Sequence, residues 1–139
     1  MTDSPPATLD LTRLAEVADG DADTIAAILE LYLDTAAQAL VTLSAAVASG
    51  DRAAVISASH RLRGASASAG AARMASLAAS LESGARASEP LMTASPALHA
   101  LRAELARVQC AASGTLAVAA QARRHDADSV IPTAGPSSP

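Results

Sequence analysis

Apolar residues recur along the middle of the chain at intervals of three and four, the spacing that lines side chains up on one face of a helix. From about residue 23 to 49, Ile25, Ile28, Leu29, Tyr32, Ala36, Ala39, Leu40, Leu43 and Val47 fall within roughly 60° of one direction. That pattern predicts one buried stripe on a long amphipathic helix. A third helix, about 52 to 69, carries Val55, Ala58, Leu62, Ala65 and Ala69 on its inner side. A fourth, after Gly70, presents Met74, Leu77, Ala78 and Leu81, and a last one, about 96 to 120, offers Leu98, Leu101, Leu105, Val108 and Ala112. A short helix near 9 to 18 precedes these four.

The breaks between stripes have their own chemistry. Gly20-Asp21, Gly50-Asp51, Gly64, Gly70, Ser83-Gly84 and the stretch from Ser88 to Pro96 mark ends or tight contacts. Gly50 suits the left-handed residue that ends a helix, and Asp51 suits the cap that opens the next. Residues 1–8 and 122–139 carry prolines and small polar residues with little to bury, and are expected to be disordered tails around a domain at 9–121. Four amphipathic helices with short connections bury their stripes most simply as an antiparallel four-helix bundle, here with an additional short N-terminal helix. The expected fold class is all-α.

Composition narrows this further. The 139 residues include 38 Ala and 16 Leu but no Phe, Trp, Lys or Asn, and a single Tyr, so the apolar half of the chain is mostly methyl groups and leucines. Alanine favours helices over strands and lets helices approach closely. The net charge of -4 comes without a basic stripe or interleaved aromatics, which argues against a nucleic-acid partner. No run of about 18 apolar residues and no basic, apolar leader is present, so neither a membrane nor a secretory route is expected, and a cytoplasmic monomer is. The lone Cys110 can form neither an internal disulfide nor a paired metal site, and reads as a small buried filler.

Most catalytic templates fail on inventory. There is no glycine-rich phosphate loop, no HExxH and no Cys/His pair with known spacing, which leaves His60. On its helix His60 points about 160° away from the inward Leu62, so its ring faces solvent. Ile56 and Ser57 share its face on one side, and Arg63, Gly64 and Ala67 on the other. A glycine inside a helix costs roughly 0.5–1 kcal/mol relative to alanine, so Gly64, one turn beyond the histidine, needs a reason. Either it makes a close helix contact or it clears access to the imidazole. Arg63 puts a fixed positive charge beside the ring, in a fork that matches phosphoryl oxygens, and Arg52 two turns back would extend a basic collar. His99 and His125 read as structural or incidental.

The stretch from Ser59 to Glu82, SHRLRGASASAGAARMASLAASLE, resembles the histidine-containing phosphotransfer (HPt) family. That family's pattern runs His, any residue, Leu, Lys or Arg, Gly and two small residues, then Gly-Ala, then apolar positions ending in Leu-Glu. His60, Leu62, Arg63, Gly64, Ala65, Ser66, Gly70, Ala71, Met74, Leu77, Leu81 and Glu82 fall on it without a gap. The likeness covers about residues 9 to 115 when the leucine-rich second helix and Gly50-Asp51 are included. Arg63 stands for the more usual Lys, Ala69 for a bulky apolar residue and Met74 for a common Leu.

The resemblance implies a phosphoryl group carried on Nε2 of His60, taken from the phospho-aspartate of a receiver domain and passed to another. An exposed imidazole, with a reference pKa of about 6.5, is largely neutral and nucleophilic near neutral pH. By family position Glu82 should approach Nδ1 and fix the tautomer, while Arg63 offsets phosphoryl charge. Gly64 and Ala67 would leave access, and Ile56 and Arg52 would belong to the docking patch. The expected partners are receiver domains of a hybrid sensor kinase or a response regulator. The chain itself is expected to need no cofactor or metal, the magnesium of the reaction belonging to the receiver, and to have no kinase activity. A docking adaptor that binds receivers without being phosphorylated is the competing reading, and charging by a kinase ATPase domain in trans has the same chemistry.

Overall fold

The computed structural model describes residues 8–129. Its helices are α1 (Leu11–Val17), α2 (Ala22–Ser49), α3 (Arg52–Ser68), α4 (Ala72–Arg86) and α5 (Ser95–Ser129), with a single 3-10 turn at Leu91–Ala94 before α5. No strand occurs among the described residues. Three of the helices open on an aspartate whose carboxylate accepts a first-turn amide: Asp10 from Arg13, Asp21 from Thr24 and Asp51 from Ala54. Gly50 ends α2 in the left-handed conformation at φ 73°, as its position between two stripes required.

Packing contacts run from α2 to α3, α3 to α4, α4 to α5 and α5 back to α2, the closed ring of a four-helix bundle. At its centre Leu14, Leu29, Leu43, Val55, Leu62, Met74, Leu101 and Val108 are fully buried. Ala36, Ala58, Ala78 and Ala112 are equally buried, and their small side chains let the helix axes approach. Truncating one of the leucines, for example Leu62→Ala, costs about 2–5 kcal/mol through lost burial and the cavity left behind.

The corner between α3 and α4 is tied down by the start of the chain. Gly70 lies at φ +79°, its carbonyl accepts from the Asp10 amide at 2.8 Å, and a Cβ there would meet Asp10 O at 2.9 Å. Only glycine fits both the conformation and the space. One polar pair crosses the interior: Tyr32 and Ser66 hydroxyls hydrogen-bond at 2.8 Å, linking α2 to α3. Burial pushes the Tyr32 hydroxyl up to about 12, with the charge of Glu104 adding to the rise and the Ser66 bond opposing it.

Two expectations are corrected. The last helix runs to Ser129 instead of ending near 120, so the domain boundary placed at 121 falls inside α5. The segment from Ala117 to Ser129 is rich in Ala and has no Gly or Pro, so nothing in it stops the helix. Residues 1–7 and 130–139 of the expected tails lie outside the described residues. Cys110 is exposed, because two residues past the inward Val108 the helix has turned its side chain outward. By length and composition alone α2 is long and apolar enough to cross a membrane. Here it is one wall of the bundle, its stripe of Leu29, Tyr32, Ala36, Leu40 and Leu43 buried in the core.

Candidate functional site

His60 sits at the middle of α3, two residues from the fully buried Leu62, and its side chain is 57% exposed. Its Nδ1 lies 2.8 Å from Oε2 of Glu82, which α4 presents across the α3/α4 interface. A carboxylate can only accept, so Nδ1 carries the proton and donates it, leaving the Nε2 lone pair free on the other side of the ring. Ser59 beside it is buried and bonds its own α3 carbonyls, Val55 O at 2.6 Å among them.

Glu82 is buried, at 5% side-chain exposure, against the expectation that a residue of its type lies in water. A hydrogen-bond donor and two cations surround it. Besides His60, Arg63 Nη1 stands 3.4 Å from Oε1, and Arg86 Nη2 stands 3.6 Å from Oε2. Burial alone would raise its carboxyl, but the hydrogen bond from His60 and the charges of Arg63 and Arg86 outweigh it and hold the group below the ordinary 4.5. Arg63 Nη2 also approaches His60 Nδ1 to 3.4 Å. With Nδ1 already donating to Glu82, that approach is a contact between two donors, and Arg63 is held only loosely.

Gly64, one turn past His60, is exposed, and a Cβ built on it would meet nothing within 4 Å. The close-contact explanation therefore fails at this glycine, and the surface above the ring is open. Ala67, the next residue along that face, is exposed as well. Ile56 is half-buried against the core and offers only an edge to solvent. Arg52 is a correction: it is not part of an open collar, because its Nη1 donates to the Ala85 carbonyl at 2.9 Å and ties the start of α3 to the end of α4. Its long side chain reaches a carbonyl in the last turn of a neighbouring helix, which spacing along α3 could not show. Arg86 joins Glu82 instead, and sequence reasoning missed it, although a cation four residues after an acid on one helix is a signal for such a pair.

The sequence matches the Hpt domain family over residues 27–111, which contains the site and reaches into all four bundle helices. The chain belongs to the Hpt domain family. Among solved structures it is similar to histidine-containing phosphotransfer protein B (HptB) from Pseudomonas aeruginosa PAO1, at 26% identity and a TM-score of 0.69, covering 88% of this chain and 98% of that one. It also shares its fold with the HPT domain of the Hpt sensor hybrid histidine kinase from Shewanella, at 24% identity and a TM-score of 0.67, covering 79% and 94%. No curated protein matches. Phosphotransfer in two-component signalling, by a carrier that meets receiver domains, is the function of an Hpt domain. In this Hpt domain the histidine and the buried acid hydrogen-bonded to it come from different helices, and the fold brings them together. Among the described residues, no three His, Cys, Asp or Glu side chains cluster so as to hold a metal ion.

Proposed function

We propose that this Hpt domain acts as a monomeric phosphorelay intermediate, taking a phosphoryl group on Nε2 of His60 from a receiver's phospho-aspartate and passing it to a response regulator. The reading rests on one observation: an exposed imidazole whose Nδ1 is held at 2.8 Å by a buried carboxylate, beneath a glycine that leaves the ring open. The Nε2 lone pair attacks phosphorus, the N–P bond forms and the aspartyl P–O bond breaks, the aspartate leaving with the electron pair. The proton stays on Nδ1, so the ring gains positive charge, and the ionised Glu82 stabilises that charge through the hydrogen bond already in place. Arg63 meets the phosphoryl oxygens. Magnesium and the aspartate belong to the receiver, and this chain supplies no cofactor. The partner surface is the open strip around Gly64 and Ala67, with the edge of Ile56.

The test is transfer from a receiver charged with labelled phosphate in the presence of magnesium. Acid-labile, base-stable label on wild type and none on His60→Gln is the expected result. Binding of charged receivers without any label on wild type would instead make the protein a docking adaptor.

A further inference from the structure

At about 100° per residue, Arg61 and Arg63 point about 160° apart around α3, with His60 and Gly64 in the sector between them. Arg63 is on the α4 side, where Glu82 meets both it and Arg86, and Arg52 donates to the Ala85 carbonyl. Among the described residues, every arginine of α3 and α4 has an acceptor or counter-charge within the chain except Arg61. Arg61 is exposed and lines a groove between α3 and α2, opposite Thr35, Gln38 and Thr42. Those three offer hydroxyls and an amide but no carboxylate. Asp34, the last acid of α2, is bonded by the Gln38 amide at 3.2 Å. A polar groove thus holds one positive charge that the chain leaves unpaired, although its net charge is -4.

Resting on the relay reading above, we propose that Arg61 is a docking residue that pairs with a carboxylate side chain on the receiver's surface and grips that partner on the α2 side of His60. Arg61 and Gly64 are three residues apart, neighbours on the helix surface, so a receiver seated over the open strip at Gly64 also covers the groove. The guanidinium fork matches the two oxygens of a carboxylate, and the Thr35 and Thr42 hydroxyls line the same seat. An acid held there lies on the flank away from Arg63 and Glu82, clear of the histidine's bond to α4. The pair sits at the rim of the contact, so it governs encounter and the choice between receivers and leaves formation of the N–P bond alone. A receiver with a lysine at the facing position is repelled by the same charge.

Initial transfer rates on the full chain, followed against the concentration of a charged receiver and against salt, test this. Arg61→Gln is expected to raise KM about fivefold and Arg61→Glu about twentyfold, with the rate at saturation within about twofold of wild type. The fall of kcat/KM with added salt should be shallower in Arg61→Gln, and Arg61→Lys, which keeps the charge, should lie closer to wild type. Arg13→Gln changes the net charge equally from an exposed position on α1 and should leave KM within about twofold. Long-range 1H–15N spectra should show the same His60 tautomer in Arg61→Gln as in wild type. Unchanged KM and salt dependence in Arg61→Gln, a loss confined to the rate at saturation, an altered tautomer, a Lys variant no better than Gln, or an equal rise in Arg13→Gln would overturn the docking role while leaving the relay reading intact. Absence of label on wild type would overturn the relay reading, and the docking role with it.

Discussion

The bundle buries two glutamates, and each is met by two arginines, yet they serve different ends. Glu104 on α5 has no exposure, and its Oε2 receives Arg73 at 3.2 Å and Arg107 at 3.1 Å. Its Oε1 has no partner among the described residues. Arg73 comes from α4, so this cluster braces α4 against α5. Glu82 on α4 has the same kind of surroundings with one addition, a histidine at 2.8 Å whose far side is open to solvent. A buried carboxylate among arginines is therefore not by itself a site. Chemistry needs the neutral nucleophile in the network and the clear space above it that Gly64 leaves.

Gly64→Leu tests that space most severely. The added side chain has no protein atom to strike and projects where a receiver must sit, so transfer should fall by about a hundredfold with the fold intact. Unchanged rates would remove access from the account. Glu104→Ala comes next and should lower stability by about 2–3 kcal/mol, roughly 10 °C in Tm, because it deletes a buried acid that joins two helices and leaves a cavity. Transfer from the same protein should remain within about twofold of wild type once the folded fraction is accounted for, and a larger loss would mean that the two clusters are coupled.

Glu82→Ala should invert that pattern. Transfer slows by about tenfold, and 15N spectra of His60 show mixed tautomers in place of Nδ1–H alone. A retained single tautomer would mean that something other than Glu82 orients the ring. Gly64→Ala is subtler and has two signs: the helix gains about 0.5–1 kcal/mol, since the residue is exposed with space around it, while transfer slows slightly. The smallest effect is on pH dependence. The Glu82 carboxyl is held below its ordinary 4.5, so its share of stability is complete above that value and is lost as pH falls through its lower value in the folded protein. Acid unfolding curves of Glu82→Gln should lack that part of the slope.

The helices and their caps were legible because local signals and the fold agree: Asp51 caps α3, Gly50 turns left-handed, and every predicted stripe faces the core. His60 and its orientation followed from its opposition to Leu62, and the pairing with Glu82 from the likeness to a family. What stayed hidden depends on reach between helices. Arg52 stretches to a carbonyl on α4, and the burial of Glu82 depends on how α4 lies against α3. Glu104 could have been found, since it falls between Leu101, Leu105 and Val108 on the inward stripe, where an acid implies buried partners. Cys110 was misplaced by composition, although its distance from Val108 on the helix pointed outward.

The central claim is that His60 carries the phosphoryl group on Nε2 while Glu82 keeps the proton on Nδ1. Correlated 31P and 15N spectra of the phosphorylated protein test it most directly. Phosphorus coupled to Nε2, with a proton retained on Nδ1 and lost from single-tautomer form in Glu82→Ala, is the expected result. Phosphorus on Nδ1, or on any residue other than His60, would contradict the account.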